Sequence, residues 1–217
     1  MTIYQPDSSG INSLNGFSYQ IRVFVFYMLQ LNEGMQIEFE TIDDVNIRRI
    51  QATQFDRYDG SFFNKISSNN SNTVVQVKRT SITESTAEQV FFNWVLLESS
   101  DNEISKYVLF TDDEYKNVDI MFSRSAEDLF ELVRTSNKKA SATISKVKKL
   151  FQDKLEDFKR IYSSIKKKYE FVSSENIDEK IDDACKVLFR KAGINSVVYY
   201  YRIKELLQHV TVKVMDN

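Results

Sequence analysis

The sequence predicts an α/β protein: an αβββαβ core with a mixed sheet over residues 1–115, followed by a helical region over 116–217. Three observations predict it. Runs rich in β-branched and aromatic residues at 36–41, 44–50 and 73–79 follow one long apolar helical stretch. A second helical stretch then leads to a short apolar run at 106–111. Beyond 119, apolar residues recur at three- and four-residue steps.

Residues 1–12 form a polar lead-in, with Asp7-Ser8-Ser9-Gly10 as turn formers. A helix is expected from Leu14 to Leu31, ending near Gly34. Phe17, Ile21, Phe24, Met28 and Leu31 fall at helical spacing, and Val23, Val25, Phe26 and Tyr27 make it apolar almost all round, so it should be largely buried. Gln36 to Thr41 alternates as a strand, with Ile37, Phe39 and Thr41 on one face and Glu38 and Glu40 on the other. Asp44 to Ile50 reads as the return strand. Residues 51–72 are rich in Asp, Ser and Asn and read as loop, with a turn at Ser67 to Asn72.

Val74, Val75 and Val77 make the next strand, and Lys78 lies on it two residues after Gln76. Ser81 to Ser85 offers helix caps for a helix running to about Leu97. Tyr107 to Phe110 should be buried on both faces if its strand is central. Helices are expected over 119–135, 140–170, 177–191 and 198–209. In the second of these, Ile144, Val147, Phe151, Leu155, Phe158, Tyr162 and Ile165 form a near-heptad stripe. The aromatic and apolar end, from Tyr199 to Val214, reads as a docking edge or as a chain that continues in a longer protein.

Composition narrows the chemistry. Cys185 and His209 are each the only residue of their kind, which excludes a disulfide framework, a cysteine-rich zinc site and a His-centred triad. A bound metal would be held by oxygens, as Mg²⁺ or Mn²⁺ prefers. The single proline, Pro6, argues against long disordered linkers. No basic-then-apolar leader is present, and Ile21 to Leu31 is too short to span a bilayer, so a cytoplasmic protein without membrane contact is expected.

The formal net charge of −2 hides a segregation. Residues 1–136 carry 11 basic against 20 acidic side chains, and residues 137–168 carry 11 against 3. Lys138, Lys139, Lys146, Lys148, Lys149, Lys166, Lys167 and Lys168 could therefore track a phosphate backbone. The alternative is a solvated helix face with its apolar stripe packed on a neighbour, a partner subunit or a second copy.

Gln76 and Lys78 share one face of their strand. Amid apolar neighbours they need partners, and the acidic run Glu40-Thr41-Ile42-Asp43-Asp44 could supply them. A carboxylate, an amide oxygen and a lysine on adjacent strands can hold a divalent metal and activate a water for phosphodiester hydrolysis. The plainer reading is a strand with one solvated face and a salt bridge.

The element order, together with Gly16-Phe17-Ser18-Tyr19-Gln20, Glu40 to Val45 and Gln76-Val77-Lys78, resembles the PD-(D/E)xK nuclease superfamily over about residues 10–112. Within it, the chain is similar to the dsDNA-endonuclease domains of bacterial anti-phage effectors, both those associated with cyclic-oligonucleotide synthases (CD-NTases) and those of Lamassu-type systems. The resemblance implies a restriction-endonuclease-like core and Mg²⁺ (or Mn²⁺)-dependent cleavage of double-stranded DNA. It also implies defence-system partners, SMC-like proteins among them, and assembly into a homo-oligomer when active. Asp44 matches the metal-binding aspartate that opens the second strand, with Asp43 able to take its place if the register shifts. Gln76 takes the second ligand position, uncharged here, and Lys78 that of the lysine that orients water or stabilises charge on the phosphate. Glu40 matches a further ligand or supporting carboxylate, and Gln20 a polar helix residue approaching the site. Their plainer readings are a solvated strand carboxylate and a helix-surface amide. The long polar interval between Ile50 and Thr73 departs from the compact family pattern.

Two other readings stand beside the nuclease. One is a catalytically inert scaffold that keeps the nuclease fold as an interaction subunit of a defence complex. The other is a helical adaptor whose 140–170 stripe forms a coiled coil.

Overall fold

A computed structural model describes residues 9–31, 35–39, 45–49, 72–79, 82–100, 103–112, 117–190 and 195–216. The chain opens with α1 (Ser9–Met28), then β1 (Met35–Phe39), β2 (Val45–Arg49) and β3 (Asn72–Lys78). Next come α2 (Glu84–Glu98) and β4 (Ile104–Asp112), in the expected α, β, β, β, α, β order. A 3-10 turn (Ile120–Phe122) leads to α3 (Ala126–Thr135), α4 (Thr143–Phe151), α5 (Leu155–Lys168), β5 (Tyr169–Ser174), α6 (Ile177–Arg190) and α7 (Ser196–Met215). The protein is thus α/β, with one five-stranded sheet in the order β1-β2-β3-β4-β5. β1, β2 and β3 pair antiparallel, whereas β3, β4 and β5 run parallel.

Strand alternation divides the core in two. Val74, Tyr107 and Leu109 pack with α2, α3, α4 and α5 on one face. Val75, Val77, Val108 and Phe110 pack with α1, α6 and α7 on the other. β4 lies between two strands, and Tyr107 to Thr111 is buried throughout, as expected for a strand covered on both faces. α1 is buried round much of its circumference, with Tyr19, Ile21, Val23 and Val25 in the core. Its apolar circumference is covered by the sheet, α6 and α7 together.

The second half of the chain differs from its expected all-helical form. β5 within it joins the same sheet, pairing Leu109 with Phe171 and Asp112 with Ser174. The stripe over 140–170 is two helices, not one. Gln152 adopts a positive φ of 49° between them, so α5 turns away from α4 while both keep their apolar faces inward. Ile144, Val147, Phe151, Phe158, Tyr162 and Ile165 are all buried with α2 and α3. A coiled coil would need that same stripe free, so the adaptor reading fails. The expected 119–135 helix is likewise divided: α3 starts afresh at Ser125, whose Oγ accepts from the Asp128 N–H at 3.1 Å. α7 spans Ser196–Met215, so the stretch expected as a docking edge, Tyr199 to Val214, lies within one helix, with Val210 in the core and Tyr200, Tyr201 and Val212 exposed.

Candidate active site at the carboxyl end of the parallel strands

β3, β4 and β5 run in the same direction, so Lys78, Asp112 and Ser174 end them along one edge of the sheet. Polar side chains gather there after long apolar strands, on both faces.

On the α2 face stand Gln76, Lys78 and Thr111. Gln76 is 6 % exposed, and its neighbours Val74, Val75 and Val77 are buried apolar residues. Lys78 is half-buried and pairs with Thr111 in the β3–β4 ladder. No hydrogen bond or ion pair reaches the Lys78 ammonium among the described residues. The Thr111 hydroxyl is fully buried and has no hydrogen-bond partner among the described residues. Sequence reasoning missed Thr111; its signal was one hydroxyl closing the run Tyr107-Val108-Leu109-Phe110.

Glu40, Asp43 and Asp44 lie outside the described residues. Val45, which follows Asp44, pairs with Val75, which precedes Gln76. Gln20 is half-buried on α1. α1 packs on the face of Val75 and Val77. Among the described residues no three His, Cys, Asp or Glu side chains stand together as metal ligands. Gln76 contributes an amide oxygen, a donor type that suits Mg²⁺ or Mn²⁺ but brings no negative charge.

The eight lysines expected to meet DNA divide by their surroundings. Lys148 donates to the Ser136 carbonyl at 2.9 Å. Lys166 lies 5.6 Å from the centroid of the Phe122 ring and 6.0 Å from that of Tyr162. Lys168 pairs with Glu98, which also accepts from the hydroxyls of Tyr107 and Ser164 at 2.9 and 2.6 Å. Lys138, Lys139, Lys146, Lys149 and Lys167 are exposed, with no ion pair among the described residues. Elsewhere, Cys185 is buried in the core, where burial first and the Asp182 charge second push its thiol pKa up. His209 is exposed on α7.

On the α1 face of the same edge is a cavity of about 330 Å³ that sequence reasoning did not find. Arg22 from α1, Arg79 and Asp112 from the ends of β3 and β4, and Ser174, Asn176 and Asp178 around the start of α6 line it. Arg22 donates from Nε to Asp178 Oδ1 at 2.8 Å and from Nη1 to the Ser18 carbonyl at 3.1 Å. These residues are scattered through the sequence, and only the parallel pairing of the strands and the return of α6 beside α1 gather them.

No helix among the described residues is long and apolar enough to cross a membrane. Compared with protein-family models, curated proteins and solved structures, the chain matches none.

Proposed function

We propose that the chain is a metal-dependent DNA endonuclease, the effector subunit of a prokaryotic anti-phage defence system, gated by partner or homo-oligomer assembly. The observation that carries this reading is the setting of β3. It bears a buried Gln76 and a half-buried Lys78 with no ion pair among the described residues, and it lies between an antiparallel β2 and a parallel β4. That order agrees with a restriction-endonuclease-like core. The reading requires the β2–β3 ladder to continue by one pair beyond Val45 and Val75, bringing Asp44 across from Gln76. Asp44, Gln76 and Glu40 would then hold Mg²⁺ or Mn²⁺, which when bound supplies Lewis acidity at the phosphate and a more acidic water. Lys78 would orient that water or meet charge on the phosphate. The exposed lysines from Lys138 to Lys149, with Lys167, offer contacts to the DNA backbone.

Gating by assembly fits the charge distribution. With 11 basic against 20 acidic side chains over 1–136, the half carrying Gln76 and Lys78 does not attract DNA by itself. One observation favours the inert-scaffold reading instead: Lys148, Lys166 and Lys168 are already engaged within the protein.

Plasmid cleavage with Mg²⁺ or Mn²⁺ separates the two. Wild type and Lys78→Ala are compared with and without the products of neighbouring genes. Metal-dependent cutting that vanishes in the variant supports the nuclease. Intact partner binding without cutting under any condition supports the scaffold.

A further inference from the structure

We infer that the cavity between α1, the carboxyl ends of β3 to β5 and the start of α6 binds a nucleoside 5′-phosphate, with Arg22, Arg79 and Ser174 around the phosphate. The cavity uses neither Gln76 nor Lys78 and lies across the sheet from them, so this inference is independent of the nuclease reading.

Its place is the first consideration. Ligands of open sheets sit in the crevice outside the carboxyl ends of parallel strands. Three such ends meet here, and the volume of about 330 Å³ suits a ligand of roughly one nucleotide.

The donors point to an anion. Arg79, the first residue beyond β3, is exposed, with no ion pair among the described residues. The Arg22 side chain retains 34 % of its exposure although it pairs with Asp178. α6 directs its first turn at the cavity, where N–H groups lack intrahelical acceptors and the helix dipole favours negative charge. Asn176 Oδ1 takes one of these, the Glu179 N–H, at 3.3 Å.

Ser174 supplies the independent sign of a ligand. It is 2 % exposed, lines the cavity, and its Oγ has no hydrogen-bond partner among the described residues. A buried hydroxyl without a partner is costly, and a phosphate oxygen in the cavity would satisfy it.

Carboxylates then define the rest of the ligand. Asp112, Glu175 and Asp178 also line the cavity and would repel a bare anion. A carboxylate beside a phosphate site can instead accept from a sugar hydroxyl or a base amino group. The ligand should therefore carry a phosphate at one end and hydrogen-bond donors at the other. A free mononucleotide and the 5′ end of a DNA strand share this chemistry.

Isothermal titration of the full chain tests it. The probes are deoxyadenosine 5′-monophosphate, deoxyadenosine, inorganic phosphate, and one oligonucleotide with a 5′-phosphate or a 5′-hydroxyl. Binding of the monophosphate is expected, with deoxyadenosine and inorganic phosphate each at least about tenfold weaker. Arg79→Ala should weaken binding about tenfold or more, and Ser174→Ala several-fold, while Lys78→Ala leaves it unchanged. Tighter binding of the 5′-phosphorylated oligonucleotide than of the mononucleotide assigns the site to strand ends; the reverse order assigns it to free nucleotide. The inference is overturned by equal affinity with and without the 5′-phosphate, by inorganic phosphate binding as well as the nucleotide, or by an Arg79→Ala variant that binds like wild type. Arg79 is exposed, so its variant decides the matter even if Ser174→Ala does not fold.

Discussion

Lys168, at the end of α5, sets its ammonium against the carboxylate of Glu98 at the end of α2, 70 residues earlier in the chain. Glu98 retains only 9 % of its side-chain exposure and serves three donors at once. Glu98→Ala strands all three and should cost about 3 kcal/mol of stability. Lys168→Ala, with 30 % of its side chain exposed, should cost about 1 kcal/mol. Urea denaturation measures both. Equal stability of wild type and Glu98→Ala would show that the hub holds nothing together.

Lys167 provides the contrast. It is exposed and without an ion pair among the described residues, so Lys167→Ala should leave the unfolding free energy within about 0.5 kcal/mol of wild type. If it meets a phosphate, the salt dependence of DNA affinity should lose about one unit of slope. An unchanged slope removes Lys167 from the DNA interface.

Lys78→Ala should reduce metal-dependent cleavage by about 10²–10³-fold while the melting temperature and partner binding stay near wild type. Chelation of the divalent ion should abolish cutting by wild type. Cleavage rates measured on supercoiled plasmid decide it, and a variant that cuts at the wild-type rate takes Lys78 out of the chemistry.

Gln152 holds a left-handed φ of 49° between α4 and α5, a conformation that a side chain disfavours and glycine does not. Gln152→Gly should therefore stabilise the protein by about 1 kcal/mol in chemical denaturation. A loss of stability instead would mean that the Gln152 side chain supports the turn.

Asp182 joins α6 to α7. Its carboxylate pairs with Lys186 and accepts from the Tyr199 hydroxyl at 2.8 Å, and these contacts, Lys186 first, hold its pKa below the ordinary range. A carboxyl depressed by folding contributes stability that is complete above its unfolded value, about 3.9, and is lost as pH falls through the lower folded value. The gap in melting temperature between wild type and Asp182→Asn should be constant near neutral pH and close on acidification below that value. A gap that widens in acid would reverse the assignment.

The order of the first six elements was legible because each strand advertises itself locally. The valines of β3 and the four-residue apolar run of β4 leave little choice of conformation. β5 was hidden by coincidence of spacing. Tyr169 follows Ile165 by four residues, so it extends the helical stripe of α5 although the backbone has already become extended. The break at Gln152 carries neither glycine nor proline to mark it. At the sheet edge, Gln76 and Lys78 could be found because polar residues interrupt one apolar strand. Helical spacing does not say which face of the sheet α1 covers, so the sequence left the place of Gln20 open. Arg79, Asp112 and Ser174 stand at the ends of three strands, and only the pairing of those strands makes them neighbours.

The late arrival of β5 governs when the fold can close. β4 needs a strand on each side, and one of them is made of residues 169–174, encoded well after the segment that carries Gln76 and Lys78. On the ribosome, the outer edge of β4 stays open, its backbone groups unpaired, until those six residues emerge. A truncated chain would keep that open edge permanently, so the same residues that complete the sheet also guard the unfinished protein against pairing with its neighbours.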